Sequence, residues 1–145
     1  MRIVVDTNVL VSATYWKGDS YKVIRIANER QMTIMMSREI TEEYYKVIKS
    51  DEVTEKVEKK NLMAEKIITK VINESVVVEP KDKLFVIKED PDDDKFLECA
   101  VEGDAEYLVS RDKHLLKLKK YKGIDIIKPE EFLRIINACK PRNNR

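Results

Sequence analysis

The sequence predicts a three-layer α/β/α domain with a mainly parallel central sheet. Short apolar runs such as Ile3-Val4-Val5 and Tyr107-Leu108-Val109 are typical of strands that are buried on both faces. Between these runs, apolar residues recur at helical spacing, and no internal repeat or linker divides the 145 residues. This length is typical of one domain. We therefore expect a single domain over residues 1–139 and a basic, disordered tail over residues 140–145.

The N-terminal half begins with a predicted central strand at residues 3–5. Ser20 is a suitable N-cap for a helix that ends near Asn28, and Ser37 is a suitable N-cap for a later helix whose apolar stripe begins at Ile40. The other predicted elements of this half are a strand at residues 32–36, a long helix at residues 53–72 and a strand at residues 76–78. In the long helix, Leu62 lies opposite the main apolar face, so it is either a surface residue, a partner contact or the sign of a break near Asn61.

The C-terminal half also alternates between predicted helices and predicted strands. An acidic run leads into a helix over residues 92–102, which Gly103 is expected to end in a left-handed conformation. Pro129 is expected to open the last helix. The remaining elements are a strand at residues 107–109, a helix at residues 112–119, a turn at Gly123 and a strand at residues 124–127. The short apolar segment 84–87 fits either a strand or a loop.

Composition narrows the classes of function. The 28 basic and 27 acidic residues give a net charge of +1, so any binding of nucleic acid must depend on local patches. No run approaches the roughly 20 apolar residues that span a bilayer, and no signal-peptide pattern is present. Cys99 and Cys139 lack paired zinc-ligand spacing and indicate reduced thiols, as in a cytoplasmic protein. Because His114 is the single histidine, we expect the chemistry to depend on carboxylates.

Two candidate site residues follow predicted strands. Asp6 comes directly after the first strand, and Asp112 comes shortly after the strand at residues 107–109. In parallel sheets, sites form beyond the carboxyl ends of the strands. A carboxylate next to a buried strand is costly unless something compensates it, although each aspartate could simply cap the following helix. Asn8 could support Asp6 as an outer ligand or as a substrate contact.

Two further candidates lie on helices. Glu43 lies about 85° from the buried direction of its helix and Glu42 nearly opposite to it, although an ordinary solvated face would explain both. One of Asp92, Asp93 and Asp94 can cap the next helix and favour its dipole. We select Asp94, which lies beside the apolar face, with Asp92 or Asp93 as an auxiliary group. Clustered carboxylates suit Mg²⁺ or Mn²⁺, and these cations suit chemistry on a phosphodiester.

At these residues the chain resembles the PIN-domain family of Mg²⁺- or Mn²⁺-dependent ribonucleases, notably the stand-alone toxins of bacterial and archaeal toxin–antitoxin pairs. The resemblance extends over nearly the whole chain, and its most distinctive segment is Asp90-Pro91-Asp92-Asp93-Asp94-Lys95-Phe96-Leu97. The other matching segments are Asp6 to Ala13, Ser37 to Val47, Ser110 to Leu116 and Ile126 to Leu133. The order and combined spacing of these motifs are specific, whereas each motif alone would be weak.

The resemblance implies a PIN-like fold, an RNA substrate that is single-stranded or looped, and one or two bound cations. The implied metal-binding and catalytic residues are Asp6, Glu43, Asp94 and Asp112, supported by Asn8, Ser110, Asp92 and Asp93. Lys95, Arg111 and Lys113 are candidate phosphate contacts, unless they are ordinary surface charges. The resemblance also implies a homodimer and a small antitoxin partner that inserts a basic side chain into the acidic pocket.

Two other classes of protein stay open. One is a non-catalytic module that binds RNA or protein on the same fold, because a fold does not establish turnover. The other is a receiver-like phosphoacceptor domain, which also combines strand-end aspartates with Mg²⁺ and a late lysine such as Lys128. The receiver is less favoured because Glu79 replaces the expected aspartate after residues 76–78 and because Glu43 and Asp94 would have no role.

Overall fold

The computed structural model of the protein describes residues 1–50 and 62–139. Within those ranges the backbone forms one six-stranded sheet. Its strands are β1 (Arg2–Val5), β2 (Thr33–Met36), β3 (Val76–Val77), β4 (Tyr107–Val109), β5 (Lys120–Tyr121) and β6 (Ile124–Ile127). They lie in the order β3-β2-β1-β4-β6-β5, and each neighbouring pair is parallel except β5 with β6. The predicted fold class with a mainly parallel central sheet is confirmed, and β5 is an additional strand.

Helices flank the sheet and join its strands. In the described ranges they are α1 (Thr7–Tyr15), α2 (Asp19–Glu29), α3 (Arg38–Ile48), α4 (Leu62–Glu74), α5 (Asp94–Glu102), α6 (Lys113–Leu116) and α7 (Pro129–Ala138). A 3₁₀-helix, Pro91–Asp93, directly precedes α5. No helix in this part of the chain is long and apolar enough to cross a membrane. Residues 53–61 of the predicted long helix, the surroundings of the Leu62 side chain and the predicted tail at residues 140–145 lie outside the described residues.

The central strand β1 determines where the neighbouring strand ends lie. Its residues Ile3-Val4-Val5 are fully buried, as expected for a strand between two helical layers. It pairs in parallel with β4, with Val5 opposite Val109. Because the two strands end at the same level, the residues that follow them lie side by side at the carboxyl edge of the sheet.

Helix ends follow the sequence signals at some positions and depart from them at others. Ser37 is the N-cap of α3, since its side chain accepts a hydrogen bond from the Ile40 N–H at 3.3 Å. Pro129 opens α7 as predicted. The helix α6 ends at Leu116, earlier than predicted, and Lys119 adopts a left-handed conformation with φ of 63° before the chain enters β5.

The prediction of a left-handed Gly103 at the end of α5 is wrong. Gly103 has φ of −84°, and the left-handed residue is Asp104, with φ of 57°. The Ala105 N–H then closes the helix end by donating to the Ala100 carbonyl at 2.9 Å. A Cβ atom on Gly103 would lie 2.9 Å from Cγ of Met35 on β2. The glycine therefore serves the close packing of α5 on the sheet.

The segment 84–87 joins no strand, and carboxylates of α5 bind its backbone instead. The N–H groups of Val86 and Ile87 donate to Asp94 Oδ1 at 3.1 and 3.0 Å. One helical turn further on, Glu98 Oε2 accepts from the Leu84 N–H at 2.9 Å. We call Asp94 and Glu98 the α5 carboxylate row. This row takes the place of a neighbouring strand and holds the segment along the helix.

We expect Asp94→Ala to lower the free energy of unfolding by about 1–3 kcal/mol, because it removes the acceptor of two backbone N–H groups, one of them on buried Ile87. Chemical denaturation followed by circular dichroism measures the change. The control is Glu89→Ala, which alters an exposed acid near the same segment. Equal stability of the two variants would contradict the structural role of Asp94.

Candidate metal centre

Acidic side chains line a cavity of about 200 Å³ at the carboxyl edge of β1 and β4, which we call the acidic cleft. Its acidic lining residues are Asp6, Glu43, Asp90, Asp92, Asp93 and Asp112, and its other lining residues are Thr7, Asn8, Val47 and Phe96. Three larger cavities, of about 390, 480 and 390 Å³, each include no more than two acidic residues. The density of carboxylates therefore makes the acidic cleft the candidate site.

Asp6 is held at the base of the acidic cleft and is only 1% exposed. Its Oδ1 accepts from the Val9 N–H at 2.8 Å and so caps α1. Its Oδ2 accepts from the Ser110 hydroxyl and from the Arg111 N–H, the latter at 3.2 Å. Burial raises the pKa of Asp6 from 3.8 to about 6, although these hydrogen bonds lower it. The carboxylate is thus fixed in position but poorly compensated in charge.

Asp93 and Asp112 face each other across the cleft. The pKa of Asp93 is raised from 3.8 to about 7, and burial is the largest cause. The nearby negative charges of Asp112 and Asp90 raise it further. Among the described residues, the buried Oδ2 of Asp93 has no N–H or hydroxyl donor, and a hydrogen bond between the protonated Asp93 carboxyl and Asp112 also raises the pKa of Asp93. Asp112 caps α6 by accepting from the His114 N–H at 2.7 Å. A divalent cation would relieve the repulsion within this group.

Asp94 does not line the acidic cleft, although the sequence analysis selects it. Its carboxylate turns toward segment 84–87, and it borders a different cavity. Spacing of about 100° per residue places Asp93 near the centre of the apolar face and Asp94 about 90° from it; this face is formed by Phe96, Leu97, Ala100 and Val101. That signal in the sequence favours Asp93. The structure accordingly brings Asp93, rather than Asp94, to the cleft.

Glu43 reaches the cleft from α3, whereas Glu42 is exposed, as expected from helix geometry. Glu43 Oε1 accepts from the Thr7 hydroxyl, and Glu43 Oε2 lies 2.5 Å from Lys95 Nζ. Lys95 also donates to Asp92 Oδ2 at 2.9 Å. Burial lowers the pKa of Lys95, but the hydrogen bonds with both carboxylates outweigh it and raise the pKa overall. Lys95 is a buried counter-ion, an arrangement that differs from the expected phosphate contact.

Arg111 also differs from the expected phosphate contact. Its Nε donates to Ser20 Oγ at 3.0 Å, and its Nη2 donates to Glu130 Oε1 at 2.8 Å. These bonds connect Arg111 with α2 and α7. The predicted N-cap role of Ser20 is wrong, because α2 begins at Asp19 and Gly18 is its N-cap.

The other predicted supporting residues lie close to the cleft. Ser110 is fully buried and connects the two strand-end aspartates, since its hydroxyl donates to Asp6 and accepts from the Asp112 N–H at 2.9 Å. Asn8 lines the cleft and is exposed. Lys113 is exposed beside Asp112, where a phosphate contact is sterically open.

The structure adds Asp90 and His114 to the residues that the sequence analysis selects. Asp90, Asp93, Asp112 and His114 each place one potential ligand atom within 4.8 Å of the others. The sequence signals were the position of Asp90 at the head of the acidic run and the position of His114 two residues after Asp112. From the sequence alone, His114 lacks both a second imidazole for a zinc site and a serine partner for nucleophilic catalysis, so it gives no signal of a role there.

A parallel sheet with carboxylates gathered at one edge defines a class of α/β proteins with an acidic site. Within that class, a family model described as the PIN domain matches residues 2–114. The chain therefore belongs to the PIN-domain family, which confirms the resemblance and sets the receiver-like alternative aside.

The fold is also similar to that of a solved structure. A chain in the crystal structure of VapBC2 from Rickettsia felis bound to a DNA fragment from their promoter matches with a TM-score of 0.56 and 18% identity. The match covers 87% of this chain and 97% of that chain. At this identity the likeness concerns the fold alone. No curated protein matches the sequence.

We expect the metal-free protein to lose stability as the pH rises from about 5 to about 7.5. The pKa values of Asp6 and Asp93 are raised from 3.8 to about 6 and about 7, so the folded state binds these protons more tightly than the unfolded chain. Their contribution to stability is complete below a pH of about 4 and is lost as the pH rises through about 6 to 7. Melting temperatures measured in the presence of a chelator test this dependence.

Asp93→Asn is the diagnostic variant, because an asparagine binds no proton and should weaken the pH dependence. Asp104→Asn, which changes an exposed acid in a left-handed conformation that asparagine tolerates, is the matched control. The expectation fails if wild type, Asp93→Asn and Asp6→Asn all show the same slope.

Proposed function

We propose that this protein is a metal-dependent ribonuclease that hydrolyses phosphodiester bonds of single-stranded or looped RNA. The observation that carries the proposal is the convergence of Asp6, Asp93 and Asp112 in the acidic cleft, with Glu43 reaching it from α3. Membership of the PIN-domain family supports the same conclusion.

The residues of the cleft fit a divalent cation. Their donor atoms are mainly carboxylate oxygens, which suit Mg²⁺ or Mn²⁺. The buried Oδ2 of Asp93, which has no N–H or hydroxyl donor among the described residues, is an atom that a cation would satisfy. We assign the binding of the cation to Asp6, Asp93 and Asp112, with Glu43 as the fourth acidic group. Asp94 is reassigned from ligand to structural residue.

The chain supplies the positioning that such a reaction needs. A bound cation supplies a water of lowered pKa and neutralises charge that develops on the phosphate. Ser110 and the Arg111 N–H orient the Asp6 carboxylate, while Lys95 and Thr7 fix Glu43. Because these contacts already hold the carboxylates in place, little reorganisation is required when substrate binds.

Replacing either Asp6 or Asp93 by asparagine should lower Mn²⁺- or Mg²⁺-dependent cleavage of RNA by about 100-fold or more, since even outer contacts at metal sites are worth about 10- to 100-fold. The matched control is Asp94→Asn. Its side-chain oxygen can still accept the two N–H groups of segment 84–87, so it should retain most of the activity. Gel analysis of labelled single-stranded RNA, with and without chelator, measures the rates.

The two neighbouring substitutions separate the assignments. If Asp94→Asn loses activity and Asp93→Asn retains it, the ligand is Asp94 and the assignment of Asp93 is wrong. If wild type leaves RNA intact but binds it with either cation present, the protein is the non-catalytic module.

We further propose that the protein is the toxin of a toxin–antitoxin pair, restrained by a small antitoxin that places a basic side chain in the acidic cleft. The family and the fold similarity to a chain of VapBC2 support this proposal. The negative charge of the cleft suits such a side chain. The homodimer and the cytoplasmic location stay predictions.

The product of the neighbouring gene should bind the protein and inhibit its cleavage of RNA. Asp93→Asn should weaken that binding by about tenfold, because the cleft loses a charge, whereas Asp104→Asn should leave the affinity unchanged. Isothermal titration calorimetry measures both. Absence of binding, or equal affinities for the two variants, would refute this partner assignment.

A further inference from the structure

Asp90, Asp93, Asp112 and His114 form a group at one end of the acidic cleft, in which the ligand atoms lie within 4.8 Å of one another. The imidazole Nδ1 of His114 lies 3.6 Å from Asp112 Oδ1. This distance exceeds that of a hydrogen bond. The group therefore contains one nitrogen that can bind a metal ion, close to three carboxylates. This nitrogen, His114 Nδ1, makes no hydrogen bond to Asp112 Oδ1.

Two buried polar atoms in this group have no hydrogen-bond partner among the residues that the structure describes. One is Nδ1 of His114 and the other is Oδ2 of Asp93, whose residue is 9% exposed. They come from different elements, the helix α6 and the 3₁₀-helix before α5. Leaving such an atom buried and unsatisfied is costly. A proton shared with Asp112 can satisfy Asp93 Oδ2 but not His114 Nδ1, so a common ion is the ligand that satisfies both atoms.

The spacing of the group fits a metal ion. Ligand atoms about 2.1 Å from a common ion lie about 3.0 to 4.2 Å apart in an octahedral arrangement. The 3.6 Å between His114 Nδ1 and Asp112 Oδ1 lies within that range. All the ligand atoms lie within 4.8 Å of one another, so rotation of the carboxylates by a few tenths of an ångström at their oxygen atoms would bring them into that range.

We infer that Asp90, Asp93, Asp112 and His114 bind a transition-metal ion through three carboxylates and one imidazole, and that this position favours Mn²⁺ over Mg²⁺. The inference deepens the proposed function and rests on it for the role of the ion. Both assignments share Asp93 and Asp112, and the inference adds Asp90 and His114 to them and names the cation that the acidic cleft takes. Mg²⁺ prefers oxygen ligands and retains its water, whereas an imidazole nitrogen adds affinity for transition metals.

The backbone already holds the imidazole near the carboxylates. The His114 N–H donates to Asp112 Oδ1 at 2.7 Å, so both potential ligands belong to one capped turn. The His114 side chain is 26% exposed, which leaves a route for the ion from solvent. His114 is therefore assigned as a metal ligand.

Pulsed electron paramagnetic resonance of wild-type protein loaded with Mn²⁺ alone tests the inference directly. A nitrogen of a coordinating imidazole couples to the Mn²⁺ electron spins, so we expect a ¹⁴N modulation that disappears in His114→Gln. Mn²⁺ that binds without ¹⁴N modulation would overturn the inference. The ¹⁴N modulation of the wild-type protein can be measured without RNA and without any substitution.

Competition between the two cations provides the second measurement. We expect His114→Gln to weaken Mn²⁺ binding by about tenfold and to change Mg²⁺ binding by less than about twofold. Lys117→Ala, an exposed substitution at the end of the same helix, is the matched control. Equal Mn²⁺ affinity in wild type and His114→Gln would also overturn the inference.

The outcomes separate this inference from the proposed function. Histidine-dependent Mn²⁺ binding without RNA cleavage would support the metal position and contradict the ribonuclease. Metal-dependent cleavage with Mn²⁺ binding that is independent of His114 would support the ribonuclease and overturn the histidine ligand. Absence of any cation binding would overturn both.

Discussion

Parallel pairing of β1 with β4 sets Val5 opposite Val109, and the geometry of the acidic cleft depends on that register. It places Asp6 and Ser110 next to each other, so that one buried hydroxyl can donate to Asp6 and accept from the Asp112 backbone. A slip by one residue would turn every side chain of the strand to the opposite face. Arg2 and Asp6 bound the buried Ile3-Val4-Val5 run, so such a slip would also draw a charged side chain between the apolar strands, and the hydrophobic core thus positions a polar site.

The fold tolerates crowded carboxylates because most of them also serve local structure. Asp6 caps α1, Asp112 caps α6, and Lys95 compensates Glu43 and Asp92. Capping and metal binding are therefore compatible roles of the same side chain, although they appear as alternatives in the sequence. Within the acidic cleft, Asp93 Oδ2 and His114 Nδ1 lack a donor or acceptor among the described residues, and a bound ion offers the clearest explanation for both atoms.

Elements whose apolar pattern is continuous could be predicted from the sequence, and positions set by tertiary contacts could not. The strand at residues 3–5 and the cap at Ser37 are examples of local signals that hold in the fold. The packing role of Gly103 has no local signal in the sequence, because its neighbour Met35 lies 68 positions away in the chain and is brought close only by folding. The position of Asp93 is different, since helical spacing alone places it at the centre of the apolar face and so favours it over Asp94.

The α5 carboxylate row has a consequence for sequence variation. Asp94 and Glu98 bind the main chain of segment 84–87, so the bonds are independent of which side chains the segment carries. Phe85, 82% exposed, projects away from this support. The side chain at position 85 can therefore vary without loss of the local structure. A proline at position 84, 86 or 87 would instead remove one of the backbone N–H groups that donate to the α5 carboxylate row. The surface beside the acidic cleft can thus change its chemical character while its backbone stays in place.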